Sequence, residues 1–132
     1  MTYEAASLRS YKSKFEEVVA EFYGLHETYE TEKITYTLQN RYNPDFKLAE
    51  DVYLEAKGFF KPSDRRKMLE VIKQHPEKIF IMFFQDSRVK LTRKSKTTYA
   101  DWCEKHNIPW FCWKYKRPTP RVLLLAVKNA KP

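Results

Sequence analysis

The six residues Ile79–Phe84 are all apolar, and this run limits the possible folds of the chain more than any other feature. It is far shorter than the roughly 20 residues that a membrane-spanning helix requires. A short apolar run without polar alternation is typical of a strand that is covered on both faces. The run therefore predicts a central strand of a β-sheet and indicates no membrane span.

Helix signals occur on both sides of this run. The sequence predicts three helices, over residues 13–22, 63–75 and 98–106. Gly24 is a natural residue just after a helix end, and Pro76 stops the second helix. Thr98 and Asp101 have the spacing of a capping box, which favours a helix start at this point.

The other predicted elements are extended. They cover residues 28–38, 45–48, 52–57 and 108–113, whereas residues 121–127 are compatible with a strand or a helix. The segments 45–48 and 52–57 flank the short turn Ala49-Glu50-Asp51, which predicts a hairpin. No internal repeat or linker divides the chain, so we predict one mixed α/β domain over residues 1–132.

The predicted hairpin carries the residues with the most evident chemistry. Side chains two positions apart on a strand share a face, so Glu55 and Lys57 project together. Asp45 on the first arm comes beside them, because the arms of a hairpin lie about 5 Å apart. Two carboxylates are a usual protein contribution to a Mg²⁺ site, and a lysine can hold the attacking water or neutralise a phosphate under attack. The pattern predicts metal-dependent phosphodiester hydrolysis; the alternative is an exposed hairpin with a cross-strand ion pair.

The charge of the chain is +8 and is unevenly distributed. Residues 88–132 hold 12 basic and two acidic side chains, whereas residues 1–87 hold 13 basic and 15 acidic ones. Such asymmetry favours a surface that binds a polyanion, with nucleic acid as the leading candidate; the alternative is a solubilising face.

Two basic clusters are the candidate DNA-binding residues. The first is Arg88, Lys90, Arg93, Lys94 and Lys96, and the second is Arg65, Arg66 and Lys67. The first cluster contains no acid and predicts a phosphate clamp, with a solvated loop as the alternative. The second lies at a helix start, where cations oppose the helix dipole, and this indicates a DNA-facing role.

The cysteines and the N-terminus indicate the cellular compartment in which we expect the protein. Two cysteines, Cys103 and Cys112, do not make a disulfide framework, which favours a reducing cytoplasm. Together with His106 they lack a fourth zinc ligand and the usual paired spacing, so we predict a buried thiol and a helix-end histidine. The first ten residues contain no apolar signal-peptide core, and we therefore do not expect secretion.

Several blocks in one order resemble a known family. They are Tyr42-Asn43-Pro44-Asp45-Phe46, Glu55-Ala56-Lys57-Gly58, Asp64-Arg65-Arg66-Lys67, Gln74-His75-Pro76-Glu77, Ser87-Arg88-Val89-Lys90-Leu91 and Tyr99-Ala100-Asp101-Trp102-Cys103-Glu104-Lys105-His106. Across residues 13–111 these blocks resemble phage endonuclease I, a junction resolvase of the PD-(D/E)xK nuclease superfamily. The resemblance implies a central mixed sheet flanked by helices, and a homodimer in the cytoplasm of a phage-infected host cell. It also implies Mg²⁺-dependent cleavage of four-way (Holliday) and other branched DNA, with Mn²⁺ as a possible substitute.

The resemblance assigns roles to four residues. Asp45 and Glu55 match the metal-binding acids of the family, and Lys57 matches its catalytic lysine. Glu16, in a Ser-x-x-Glu setting on the first helix, matches a further catalytic and metal-binding acid, with Glu17 as the rival residue.

The resemblance also implies an exchange between protomers. Residues up to about 40 would be exchanged or bridging in the dimer, so that Glu16 completes the partner's active site, while residues 41–132 form the catalytic core. Two other functions remain open at this point. One is a different nuclease of the same superfamily, mismatch-nicking or restriction-type, and the other is a non-catalytic basic DNA-binding module.

Overall fold

The structure is a computed structural model, and it describes residues 10–36 and 40–130 of the chain. Its helices are α1 (Lys14–Tyr23), α2 (Pro62–Gln74), α3 (Tyr99–Lys105) and α4 (Pro120–Ala130). Its strands are β1 (Ile34–Tyr36), β2 (Asn40–Tyr42), β3 (Phe46–Ala49), β4 (Val52–Lys57), β5 (Ile79–Phe84) and β6 (Trp110–Cys112). A 3₁₀ turn over His26–Thr28 lies between α1 and β1.

The apolar run forms β5, an interior strand of a four-stranded mixed sheet with the order β3-β4-β5-β6. β3 and β4 form the predicted antiparallel hairpin, whereas β4, β5 and β6 are parallel. β1 and β2 pair separately as a two-stranded sheet. The prediction of a mixed α/β architecture with β5 inside the sheet is therefore confirmed.

Side chains of β5 contribute to two cores on opposite faces of the sheet. Phe80, Met82 and Phe84 pack in a cluster with residues of α2 and α3. Ile81 and Phe83 pack in a second cluster with residues of α1 and α4. Because both faces are covered by helices, every β5 position needs an apolar side chain, which explains the uninterrupted run.

Local signals define the helix ends. Ser13 caps α1 by accepting from the Glu16 amide, and Gly24 ends the helix with a left-handed φ of 67°, which a glycine adopts without a Cβ penalty. Thr98 and Asp101 form the predicted capping box of α3. The three predicted helices are confirmed to within one residue at each end, and residues 121–127 belong to a helix, α4.

Two extended segments are shorter than predicted. Of residues 28–38, Ile34–Tyr36 is a strand and Tyr29 makes a single bridge to Phe46, while Leu38 lies outside the described residues. Only Trp110–Cys112 of residues 108–113 is a strand.

None of the helices in residues 10–36 and 40–130 combines the length and the apolar character that crossing a bilayer requires. The division of the chain near residue 40 stays a prediction.

Candidate active site

The β3–β4 hairpin brings Asp45, which precedes β3, close to Glu55, which lies near the C-terminal end of β4. Phe46 pairs with Leu54, so the preceding Asp45 lies opposite Glu55. The Asp45 amide donates to Glu55 Oε1 at 2.8 Å, and the Ala56 amide donates to Asp45 Oδ2 at 2.9 Å. Each carboxylate is thus held by the backbone of the other strand, and the predicted pairing is present.

Both carboxylates are deeply buried, with Asp45 4% and Glu55 1% exposed. Burial raises the pKa of Asp45 well above its usual range, and the adjacent Glu55 and Glu16 raise it further. Burial also raises the pKa of Glu55, although the Lys57 ammonium opposes this shift. Two desolvated like charges in contact repel each other strongly, so a bound cation would relieve the site.

Lys57 supplies one positive charge on the face of β4 that also carries Glu55. Its Nζ lies 3.9 Å from Glu55 Oε2 and 3.6 Å from Asp64 Oδ1. Burial tends to lower the pKa of Lys57, but Glu55 and Asp64 outweigh this effect and the pKa is raised. Lys57 is therefore a protonated cation at neutral pH, suited to hydrogen bonding and charge neutralisation rather than to accepting a proton.

Asp64 is a site residue that the sequence analysis missed. It is buried in the first turn of α2, where Oδ2 accepts from the Lys61 amide while Oδ1 faces Lys57. One signal in the sequence was available, because an acid in the first turn of a predicted helix is a usual capping residue. That signal indicated a cap and contained no information about the contact with Lys57.

Glu16 lies in the same cleft as Asp45. It is 6% exposed, and its Oε1 accepts from the Ser13 amide and from the Tyr29 hydroxyl, each at 2.9 Å. Glu17 instead points away from the cleft, half-exposed, and pairs with Lys14 at 3.5 Å. The geometry favours Glu16 over Glu17, and in this chain Glu16 approaches the Asp45 of its own protomer. Exchange of α1 between protomers stays a prediction.

The oxygen atoms that line the cleft determine whether it can bind Mg²⁺. Across residues 10–36 and 40–130, no three His, Cys, Asp or Glu side chains form a ready-made metal-binding group. Four carboxylates line the cleft, those of Glu16, Asp45, Glu55 and Asp64, and Asp45 and Glu55 lie opposite each other on the hairpin. Asn43 Oδ1 is buried on the cleft wall without a hydrogen-bond partner among the described residues. Mg²⁺ commonly takes one or two carboxylates and completes its shell with water and phosphate, so Asp45 and Glu55 fit this ion.

The cysteines lie away from this cleft. Cys103 and Cys112 are both buried free thiols, and burial raises the pKa of Cys103 to about 12. His106 forms the C-terminal cap of α3. The predicted buried thiol and helix-end histidine are therefore confirmed.

A polar cleft of about 630 Å³ surrounds the carboxylates. Its basic lining residues are Lys12, Arg41, Lys57, Lys61 and Lys67. Of the predicted helix-start cluster, Lys67 lines the cleft and lies 5.0 Å above the Tyr42 ring. Arg65 does not line it; its Nη1 donates to the Phe60 carbonyl at 2.8 Å, and Arg66 is exposed on α2 outside the cleft.

The first basic cluster of the sequence analysis lies on the β5–α3 connection, outside the cleft. All five of its cations are exposed: Arg88, Lys90, Arg93, Lys94 and Lys96. None of them has an acidic partner in the described parts of the chain, and Arg88 lies 3.9 Å above the Tyr115 ring. The connection is ordered by a bridge between Lys90 and Thr98. It presents positive charge that no carboxylate of the described residues neutralises.

Comparison with known proteins gives consistent matches. The family model of phage endonuclease I matches residues 1–115, which leaves α4 outside the match. The chain is 38% identical over 106 residues to endodeoxyribonuclease 1 of Enterobacteria phage T3, covering 76% of this chain and 70% of that enzyme. It is 39% identical over 88 residues to endonuclease I of Escherichia phage T7, covering 64% of this chain but only 59% of that enzyme. From the extent of the family match and the identity to the T3 enzyme, we conclude that the chain belongs to the phage endonuclease I family.

Proposed function

We propose that this chain is a Mg²⁺-dependent deoxyribonuclease that cuts four-way (Holliday) and other branched DNA junctions, with Mn²⁺ as a possible substitute ion. Family membership supports a DNA endonuclease, because the T3 relative is named an endodeoxyribonuclease and the T7 relative an endonuclease. One observation carries the catalytic part of the proposal. The buried pair Asp45 and Glu55 converges with Lys57 inside a cleft lined by cations.

Asp45 and Glu55 would hold the metal ion, with Glu16 as the third acid within reach. When bound, the ion supplies Lewis-acid stabilisation of phosphate charge and activation of water for attack. The hairpin contributes rigidity, because each carboxylate is already hydrogen-bonded to a backbone amide of the opposite strand. Such preorganisation keeps ligand oxygens in place before substrate arrives.

Lys57 would hold the attacking water or neutralise the negative charge that develops on the oxygens of the phosphate under attack. Its protonated state at neutral pH is suited to either role. Asp64 contacts the same ammonium group as Glu55 and would act as a positioning residue. Two flanking carboxylates restrict a flexible four-carbon side chain, so the charge is delivered to one place.

The cations at the rim would bind the DNA backbone. Lys12, Arg41, Lys61 and Lys67 surround the carboxylates, and the loop 88–96 adds five more cations outside the cleft. Contacts of this kind reach phosphates and contain no base-specific information. Recognition would therefore depend on the shape of the branch rather than on its sequence.

The proposal includes a homodimer, because two symmetric cuts across a branch need two active sites. Glu16 comes from α1, whereas the other catalytic residues come from β4 and the residue before β3. Between α1 and β1, the described chain contains a 3₁₀ turn, a single bridge from Tyr29 to Phe46 and otherwise irregular backbone. Such a connection is compatible with exchange of α1 in a dimer that works in the cytoplasm of a phage-infected cell.

A cleavage assay tests the proposal. The protein is incubated with a four-way junction or with a linear duplex of the same arm sequences, in Mg²⁺ or in EDTA. We expect nicks in the junction only with Mg²⁺, at a rate at least about tenfold above the duplex. Retention of DNA without any cutting would indicate a binding module, and equal cutting of both DNAs would indicate a different nuclease of this class.

Two variants make the assay specific. Asp45→Asn is expected to bind the junction as well as wild type or better and to leave it uncut, because it removes a ligand and a charge that repels phosphate. Glu104→Gln is the matched control, since Glu104 is an exposed acid on α3 outside the cleft. Equal loss of binding and cleavage in Asp45→Asn would instead indicate a structural role for Asp45.

A further inference from the structure

Phe59 occupies an unusual position at the rim of the candidate active site. It follows Lys57 by two residues and lines the catalytic cleft. Its side chain is 69% exposed, more than any other large apolar side chain in the described part of the chain. Single exposed apolar residues are common on protein surfaces, so the location of the ring matters more than its exposure.

The exposure of Phe59 is imposed by ordered neighbours. The next residue, Phe60, is fully buried, and its amide donates to the Tyr99 hydroxyl at 3.2 Å. The Phe60 carbonyl accepts from Arg65 Nη1 at 2.8 Å. With Phe60 anchored at its ring, its amide and its carbonyl, the backbone directs Phe59 into solvent. The fold thus leaves exposed an apolar ring whose burial would have contributed to stability.

Positive charge around the ring would bring nucleic acid to it. Lys57 precedes Phe59 by two residues and Lys61 follows it by two, and both line the cleft. A phosphate backbone held by these ammonium groups would place nucleotides beside the ring. Bases stack favourably on aromatic side chains, and this stacking does not depend on sequence because every base has a flat face.

The two DNA substrates differ in whether they expose the flat faces of their bases. In the interior of a linear duplex each base pair is covered above and below by its neighbours, so an aromatic ring finds no free face there. At a branch point the stacking is interrupted, and terminal base pairs expose a face. A ring placed beside the scissile phosphate would therefore distinguish a branch from a duplex.

We propose that Phe59 stacks on the base face exposed at the branch point and thereby determines selectivity for branched over linear DNA. This inference rests on the proposed function, because it assumes that the adjacent cleft is the cleavage site. It adds a contact to bases, whereas the rim cations contact only phosphates. Selectivity then has two sources, the geometry of the charged cleft and one aromatic ring.

The test compares variants that keep the charge of the cleft. Phe59→Ala removes the ring, Phe59→Leu keeps an apolar side chain, and Phe59→Trp enlarges the stacking surface. Leu124→Ala is the matched control, since Leu124 is 62% exposed on α4 and does not line the cleft. Thermal melting is measured first to show that each variant folds.

Affinity is then measured in EDTA for the four-way junction and the linear duplex. For Phe59→Ala we expect about tenfold weaker junction binding, which corresponds to about 1.4 kcal/mol of lost stacking, and unchanged duplex binding. Phe59→Trp should match wild type or bind the junction more tightly, and Phe59→Leu should fall between wild type and alanine. Leu124→Ala should leave both affinities unchanged.

A photochemical readout locates the ring. A junction with 5-iodouracil at the branch point is irradiated with the bound protein, and the modified peptide is identified by mass spectrometry. We expect attachment at Phe59 for the branch position and none when the label is placed in the middle of an arm. Attachment at another residue would overturn the proposal.

The outcomes separate this proposal from the proposed function. If wild type prefers the junction and Phe59→Ala keeps that preference, the inference about Phe59 is wrong and the nuclease proposal stands. If Phe59→Ala weakens junction and duplex equally, Phe59 is a general contact and does not determine selectivity. A wild-type protein with no preference for the junction would overturn both proposals.

Discussion

Replacing Asp45 with asparagine should make the metal-free protein more stable while abolishing cleavage. Asp45 is buried beside Glu55, and burial with the nearby acids raises its pKa well above the ordinary value of 3.8. The native state at neutral pH therefore contains repulsion that the unfolded chain lacks. An asparagine has nearly the same shape, and its amide oxygen can still accept from the Ala56 amide.

The magnitude follows from the geometry of the hairpin. Side chains opposite each other on paired strands have Cβ atoms about 5 Å apart, and two unit charges at about 5 Å repel by about 3 kcal/mol at an effective dielectric constant of about 20. Proton uptake by the pair relieves part of this repulsion at neutral pH. We therefore expect Asp45→Asn to gain about 1–2 kcal/mol, or about 3–8 °C in Tm for a chain of this size.

The sign of the pH dependence is defined by the raised pKa of Asp45. A carboxyl whose folded pKa lies above its unfolded value contributes stability that is fully present below the unfolded value and is lost as pH rises through the folded value. The Tm difference between Asp45→Asn and wild type should thus be near zero at pH 4 and grow toward pH 8. Circular dichroism melts in EDTA over this range measure it, with Glu104→Gln as control.

Mg²⁺ provides the second arm of this experiment. An ion that binds only the folded state stabilises it by RT ln(1 + [L]/Kd), which is about 1.4 kcal/mol at a concentration ten times the Kd. Wild type should gain Tm with added Mg²⁺, and Asp45→Asn should gain little. If Asp45→Asn is less stable than wild type at pH 8 in EDTA, the argument from repulsion is refuted.

Three further predictions address other parts of the site. The double variant Arg93→Ala and Lys94→Ala should reduce the slope of log affinity against log salt by about two, one unit per lost phosphate contact, and an unchanged slope would show that this loop is only solvated. Asp64→Asn should lower kcat about tenfold with little change in KM. It should also move the alkaline limb of the pH–rate profile to lower pH, because one carboxylate that raises the pKa of Lys57 is lost. An alkaline limb that does not move would contradict this role. Mixing a Glu16→Ala chain with an Asp45→Ala chain should restore a single Mg²⁺-dependent nick if α1 is exchanged, since one site then receives both intact acids. A silent mixed dimer of confirmed composition would show that each site comes from one chain.

The hairpin chemistry was predictable because it depends on short-range regularities. Side chains alternate with a period of two, and Asp45 is only ten residues from Glu55, so one turn determines that they meet. Helix caps are equally local: Ser13 and Thr98 each act on an amide three residues ahead. These features follow from backbone geometry within one or two elements.

Other residues of the cleft come from elements that meet only in the folded chain. Asp64 reaches Lys57 because α2 crosses back from β4 to the parallel strand β5 and points its first turn at the end of β4. The DNA-facing role of Arg65 stays a prediction, and the structure adds that Arg65 Nη1 donates to the Phe60 carbonyl. A basic residue in a sequence has no identified partner until the packing of neighbouring elements supplies one.

The sequence by itself determined the central apolar strand, the hairpin with its three catalytic candidates, and the helix ends, since each depends on periodicity or on contacts within a few residues. Tertiary structure decided the rest. The hydrophobic pattern of residues 121–127 does not distinguish a strand from a helix. In the structure they are helical, and Leu123 and Val127, one turn apart, pack in the second core. The cleft likewise exists only where α1, the hairpin and α2 converge, because burial of charge depends on every element packed around it.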